Sequence, residues 1–273
     1  MVRARGSGPA TDAPGRPHEA AMTVRGEPDS LFPDTLFNGR LRLFQPARGA
    51  HRAGTDAVLL ARLFDPAPGA TLCDAGAGTG VVGLAYALRT GARVTLVERE
   101  PELAALARRN VALNAVPDTI VTEADLLAPA QARQAAGLVP EAADIVVTNP
   151  PFLGPGHRPS PHALRAVAHS LPEGGLAAWI RTCTWLLRPG GRLGLIHRAD
   201  ALPDCLGALA GRFGDVAVRP VHARPDRPAI RILIRAVKGS RAGTSLLPPL
   251  VLQQDDGRTT TESDRIHSGI DWN

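Results

Sequence analysis

Three groups of residues in this chain have side chains and spacing suited to chemistry. The first is the loop Asp74-Ala75-Gly76-Ala77-Gly78-Thr79-Gly80, which follows the apolar run Thr71-Leu72-Cys73 directly. The second is Glu98, at the end of a second apolar run, Val94 to Val97. The third is Asn149-Pro150-Pro151-Phe152, which stops the run Ile145-Val146-Val147 abruptly. Proline has no backbone donor and a fixed φ, so two prolines end a central strand and hold the next residues in one rigid path. A carboxamide offers an acceptor and a donor, and a phenyl ring stacks on a planar partner. The tetrapeptide therefore suits a flat molecule that bears an amine.

The glycine loop admits two cofactors. Gly78-Thr79-Gly80-Val81-Val82-Gly83 satisfies the GxGxxG pattern of dinucleotide sites. Asp74 points elsewhere, because a carboxylate at the loop mouth repels a pyrophosphate and favours an ammonium or sulfonium. Glu98 is placed to accept from ribose hydroxyls, a role common to both ligands. Each acid also has a plain structural role open to it: Asp74, Glu98 and Asp125 could cap the helices or turns that follow them.

These residues need a frame, and the chain supplies one. Strand-like runs at 70–76, 92–98, 119–125, 143–149 and 191–197 alternate with helical patterns at 79–90, from Pro101 to Asn114, near 174–187 and near 201–213. This alternation predicts an α/β fold with a doubly wound, mainly parallel seven-stranded sheet. Two further runs joined by a short polar turn, "DVAVRPVHA" and "PAIRILIRAV", predict a C-terminal antiparallel pair. Asn38-Gly39 between alternating apolar residues predicts a small N-terminal hairpin over 35–45, and Thr55 or Asp56 is the expected N-cap of a helix over 54–64. Residues 1–34, rich in Pro, Gly and charge, are expected to be a disordered tail, 35–240 the folded domain (35–69 hairpin and helix, 70–240 core) and 241–273 an extension.

Composition bounds the function. The 273 residues are 44% apolar, enough for a sizeable core. No run approaches the roughly 20 apolar residues of a membrane span, and no secretory signal is evident, so a cytoplasmic protein is expected. Cys73, Cys183 and Cys205 are scattered and the eight histidines form no HxH or HxxxH pair, so no metal is expected. The balance of 31 basic to 26 acidic residues permits nucleic acid as a partner. In "GHRPSPHALRAVAHS", His157, Arg158, His162 and Arg165 could meet RNA phosphates or simply flank a solvated loop.

In their order, "DAGAGTG", "VERE", "EAD" and "NPPF" resemble the class I S-adenosylmethionine-dependent methyltransferases, in the branch that methylates amino groups. The block "QPARGAHRAGTDAVLLARL" (45–63) resembles the segment preceding the cofactor loop in the bacterial tRNA1(Val) adenine N6-methyltransferase family. The similarity spans about 35–240. It implies a Rossmann-like fold, S-adenosylmethionine as cofactor, and a tRNA substrate methylated on adenosine N6, at position 37 of a valine tRNA. Asp74, Gly76, Gly78, Gly80, Glu98, Asp125 and Asn149 are then the cofactor residues, with Gln45, Arg52 and Asp56 shaping a lid. The Asn149 oxygen and the Pro150 carbonyl would take the two amine hydrogens and leave the nitrogen lone pair aimed at the methyl group. Phe152 would stack on a flipped base beside Pro151, with Arg158 at its flank.

Rivals differ in substrate or in class. Guanine N2 in rRNA and protein glutamine need the same Asn-Pro-Pro geometry, although the glutamine enzymes normally carry a helical N-terminal domain that residues 1–34 do not supply. A non-catalytic RNA-binding module has no reason to keep Asp74, Glu98 and Asn149 together. A monomer or weak dimer is expected.

Overall fold

The computed structural model describes residues 33–46, 54–151 and 175–269. The five short apolar runs form parallel strands: β3 (Thr71–Ala75), β4 (Arg93–Glu98), β5 (Thr119–Glu123), β6 (Ala143–Thr148) and β7 (Leu187–Arg198). Before them come the hairpin strands β1 (Asp34–Leu36) and β2 (Leu41–Leu43), and the helix α1 (Thr55–Leu60). Between and after them lie α2 (Val81–Thr90), α3 (Pro101–Leu113), α4 (Ala130–Ala135), α5 (Gly175–Leu186) and α6 (Leu202–Leu209). The expected antiparallel pair is β8 (Phe213–His222) with β9 (Ala229–Lys238).

The seven central strands run β8-β9-β7-β6-β3-β4-β5 across the sheet, with only β9 antiparallel to its neighbours. The chain winds outward from β3 through β4 to β5, then returns to place β6 on the other side of β3. The carboxyl ends of β3 and β6 thus flank the point where the winding reverses, the crevice in which open α/β sheets bind ligands. The 241–273 extension is not a loose appendage. Its strands β10 (Thr244–Leu246) and β11 (Leu250–Val251) pair in parallel with β8, which makes the sheet nine-stranded, and its helix α7 (Thr261–Ser268) follows. Thr260 caps α7 by accepting from Ser263 N at 3.2 Å, and Arg219 on β8 donates to both carboxylate oxygens of Glu262 at 2.7 and 2.9 Å.

Three boundaries differ from the sequence reading. Helix α1 is capped by Gly54, without a side-chain hydrogen bond, because Asp56 is drawn instead to Arg231 on β9. Strand β7 starts at Leu187 rather than 191, continuing from α5. The expected disordered tail lies outside the described residues as far as 32, and Asp34 already belongs to β1.

Helix α2 lies unusually close to the sheet. A Cβ placed on Gly83 would stand 2.3 Å from Leu96 Cδ2, 2.9 Å from Val94 Cγ1 and 3.3 Å from Asp74 Cβ. Tyr86, three residues on, is fully buried and joins α2 to the end of α1: its hydroxyl donates to Leu60 O at 2.9 Å and accepts from Phe64 N at 3.1 Å. These contacts fix the helix start above Asp74. Gly83→Ala should therefore destabilise the protein by about 1–3 kcal/mol, the usual cost of overpacking a tight contact, as measured by urea unfolding.

Candidate active site

The glycine loop leaves β3 at Ala75 and turns at Gly76, whose φ of 79° belongs to the left-handed region that suits glycine. A side chain there would also collide with the Trp179 indole on α5, 2.8 Å from an ideal Cβ. Gly76 N and Ala77 N both donate to Val97 O at 2.9 Å, so the loop is pinned to the end of β4. Gly78 N donates to Glu98 Oε2 at 2.7 Å, and Gly80 precedes α2 as its N-cap.

The two acids are the most buried carboxylates of this edge, Asp74 being 2% exposed and Glu98 8%. Asp74 Oδ2 accepts from Gly83 N at 2.9 Å, satisfying a first-turn amide of α2 that has no partner within the helix. Burial pushes the Asp74 carboxyl up to about 7; the Gly83 hydrogen bond opposes this rise, and the neighbouring Glu98 adds to it. Glu98 Oε1 accepts from Arg99 N at 2.8 Å and Glu100 N at 2.9 Å. With Gly78 on Oε2, three of a carboxylate's roughly four lone-pair sites are taken, which leaves room for a ligand hydroxyl. Asp74 thus takes the helix-capping role open to it, whereas Glu98 bonds Arg99 N and Glu100 N ahead of α3 and caps no amide of that helix. Asp125 Oδ1 accepts from Leu127 N at 2.8 Å in the turn after β5, two strands away from β3.

Register brings the third group alongside, since Ala75 is paired with Thr148, the residue before Asn149. The Thr148 hydroxyl donates to Ala75 O at 2.8 Å and accepts from Trp179 Nε1 at 2.9 Å, so one buried chain of hydrogen bonds links α5, β6 and the root of the glycine loop. Asn149 lines a cavity of about 360 Å³. Its amide oxygen is buried and accepts no hydrogen bond from any described residue, a costly state for a carboxamide unless a ligand supplies the donor. Pro150 and Pro151 continue the chain, whereas Phe152, Arg158, Arg52, His157, His162 and Arg165 lie outside the described residues. Of the lid candidates, Gln45 donates to Asp34 Oδ2 at 2.7 Å and Asp56 accepts from Arg231 Nε at 3.0 and 2.9 Å.

Two asparagines escaped the sequence reading. On α3, Asn110 and Asn114 offer their amides to β2 and its continuation as another strand would. Asn110 accepts from Phe44 N at 2.7 Å and donates to Phe44 O at 3.0 Å and to Thr79 O at 2.9 Å. Asn114 accepts from Arg42 N at 3.0 Å and donates to Arg42 O at 2.7 Å. Asn110, fully buried, therefore ties the N-terminal hairpin to the glycine loop. The signal was an asparagine repeated at i and i+4 on a helix, where it has poor intrinsic propensity.

The family described as methyltransferase small domain matches residues 50–219, more than half of the chain and all three groups of the site. The chain belongs to that methyltransferase family. It is similar to the tRNA1(Val) (adenine(37)-N6)-methyltransferases of Dickeya chrysanthemi, 29% identical over 77% of this chain and 84% of the relative, and of Phocaeicola vulgatus, 28% identical over 74% and 84%. Among solved structures, a predicted O-methyltransferase, protein Atu636 from Agrobacterium tumefaciens, is 35% identical with a TM-score of 0.65, over 78% of this chain and 96% of that one.

A cationic methyl donor held beside Asp74, the place expected for it from the sequence, would bind in a pH-dependent way. A carboxyl at about 7 in the ligand-free fold, raised above its ordinary 3.8, contributes stability that is full below about 3.8 and lost as pH rises through about 7. A cation beside it favours the ionised form, so binding releases a proton below that pH. S-adenosylmethionine affinity should rise by up to about tenfold per pH unit from about pH 5 to about pH 7 and then level off. Titration calorimetry in buffers of different ionisation heat should detect the released proton, and Asp74→Asn should flatten the pH profile and weaken binding.

Proposed function

We propose that this protein transfers the methyl group of S-adenosylmethionine to the exocyclic N6 amine of an adenosine in tRNA. The observation that carries the reading is the buried amide oxygen of Asn149, without a hydrogen-bond partner among the described residues and set at the winding reversal beside the glycine loop. The names borne by the relatives, which specify adenine 37 of tRNA1(Val), support the choice of substrate.

When bound, S-adenosylmethionine supplies a methyl group on a positively charged sulfur. Gly76, Gly78 and Gly80 would let backbone approach it, Asp74 would offer a carboxylate to its charge, and Glu98 would offer its remaining acceptor site to its ribose. The chain's main task is to present the amine. An aromatic amine is a poor nucleophile because its lone pair is delocalised into the ring. Asn149 Oδ1 and Pro150 O accept its two hydrogens, which turns the lone pair out of the ring plane toward the methyl group. Phe152, next in the motif, is assigned the stacking face for the base. No residue need remove a proton beforehand: as the nitrogen bonds the methyl carbon the sulfur–methyl bond would break, its electron pair staying on sulfur to give the neutral thioether S-adenosylhomocysteine, and the surplus proton on nitrogen would then pass to water.

Two acceptors on successive residues also separate this reading from transfer to a hydroxyl, the chemistry named for the Agrobacterium protein. A hydroxyl has one hydrogen and would leave one acceptor unmet, whereas a primary amine satisfies both. Guanine N2 and glutamine amides share that property with adenine N6, so the base itself is read from the relatives.

Asn149→Ala should lower single-turnover methyl transfer to unmodified tRNA by at least about a hundredfold, the scale of one preorganised polar group, while cofactor affinity changes far less. Transfer at the wild-type rate would remove the amine-holding role. Apparent tRNA affinity should also fall steeply as salt rises, because phosphate contacts release counterions, and a flat response would favour a protein or small-molecule acceptor.

A further inference from the structure

The family match ends at residue 219, yet the cavity lined by Asn149 is closed by residues beyond it. Asp56, at the start of α1, forms one side. Val221 near the end of β8, Ile230 and Arg231 at the start of β9, and Leu252 just after β11 form the other. Because β9 runs antiparallel, its first residues fall at the same edge as the carboxyl ends of β6 and β7.

The extension sets Leu252 firmly. Leu250 is paired with Val221 and Val251 with His222. Leu252 N donates to His222 O at 2.9 Å, and Leu252 O accepts from Thr260 N at 3.0 Å, so both backbone groups of the residue are engaged. On the other side, Arg231 Nε reaches both Asp56 oxygens at 3.0 and 2.9 Å, across a separation of 175 residues. This pair is mostly shielded, and its charges cancel at the cavity rim. Apart from this pair, Gly54 and Thr55, the residues that share the cavity with Asn149 are apolar, including Ile230, which is 42% exposed despite its type. Largely apolar walls, a neutral rim and a lining carboxamide match an uncharged heteroaromatic ring with an amine on its edge.

We propose that the C-terminal extension is a wall of the acceptor pocket. Leu252 and Ile230 contact the face of the target purine whose amine Asn149 holds, and the Asp56–Arg231 pair sets the distance between that wall and α1. Leu252 and Ile230 then determine specificity, and Arg231 is a positioning residue. The occupant named here rests on the reading of the substrate as adenosine; the wall itself is a separate claim.

Leu252→Trp, which fills the cavity, should lower kcat/KM for tRNA by at least about tenfold, with S-adenosylmethionine affinity and thermal unfolding near wild type. Arg231→Gln should raise KM more than it lowers kcat, and Asp56→Asn with Arg231→Gln should be no worse than either alone, as expected for two ends of one contact. Wild-type kinetics for Leu252→Trp would overturn the wall. A binding measurement on the unaltered protein is independent of both folding and turnover. With S-adenosylhomocysteine present, millimolar adenosine should shift the amide resonances of Val221, Ile230 and Leu252. Shifts there, combined with no methyl transfer to any tRNA, would overturn the tRNA reading and leave the wall standing. Shifts confined to other regions, or none, would overturn the wall.

Discussion

Everything at this edge of the sheet depends on the parallel pairing of β3 with β6, which sets Ala75 level with Thr148. The next residues on the two strands begin the glycine loop and the Asn-Pro-Pro segment. The pairing therefore fixes the distance between the place for a methyl donor and the place for its acceptor. A slip of one residue would turn Asp74 and the flanking side chains to the opposite face. The Thr148 hydroxyl, bonded to Ala75 O and to the Trp179 indole, adds a side-chain lock to the same register. Trp179 in turn occupies the space that a side chain at position 76 would need, so the glycine is required by the lock as well as by its own φ.

Asp74 combines two demands that oppose each other. As the acceptor for Gly83 N it must be buried under the start of α2, and as the proposed anionic wall of the cofactor site it must carry charge. Burial, opposed by the Gly83 hydrogen bond and aided by Glu98, pushes its carboxyl up to about 7, so near neutrality it is partly protonated. A cation settles the conflict by compensating the buried charge. The site thus holds part of its electrostatic attraction in reserve until the ligand arrives.

The strand, loop and helix order at this edge of the sheet was legible because its signals are local. Strand, glycine loop, helix and strand-end acid follow one another within 71–98, and Asn149-Pro150-Pro151 announces itself by ending an apolar run. What stayed hidden depends on long-range partners. Asp56 looks like a helix cap from its neighbours, and only the fold reveals Arg231, far along the chain. Asn110 and Asn114 look like surface residues of a helix, although they serve as a substitute strand for Arg42 and Phe44. The extension after 240 has weak periodicity and short strands, which acquire meaning only from the exposed edge of β8 that they cover.

The ion pair between Asp56 and Arg231 also orders events in time. On a ribosome, the units from β3 to β6 need only neighbouring segments, so the crevice for the methyl donor can assemble while later segments are still being translated. The opposite wall must wait for Arg231 to meet Asp56 and for Leu252 to dock beside Val221. A nascent chain of this protein therefore acquires a seat for its donor well before it has a complete seat for an acceptor, and an unfinished chain that can hold a methyl donor still lacks half the surface needed to spend it.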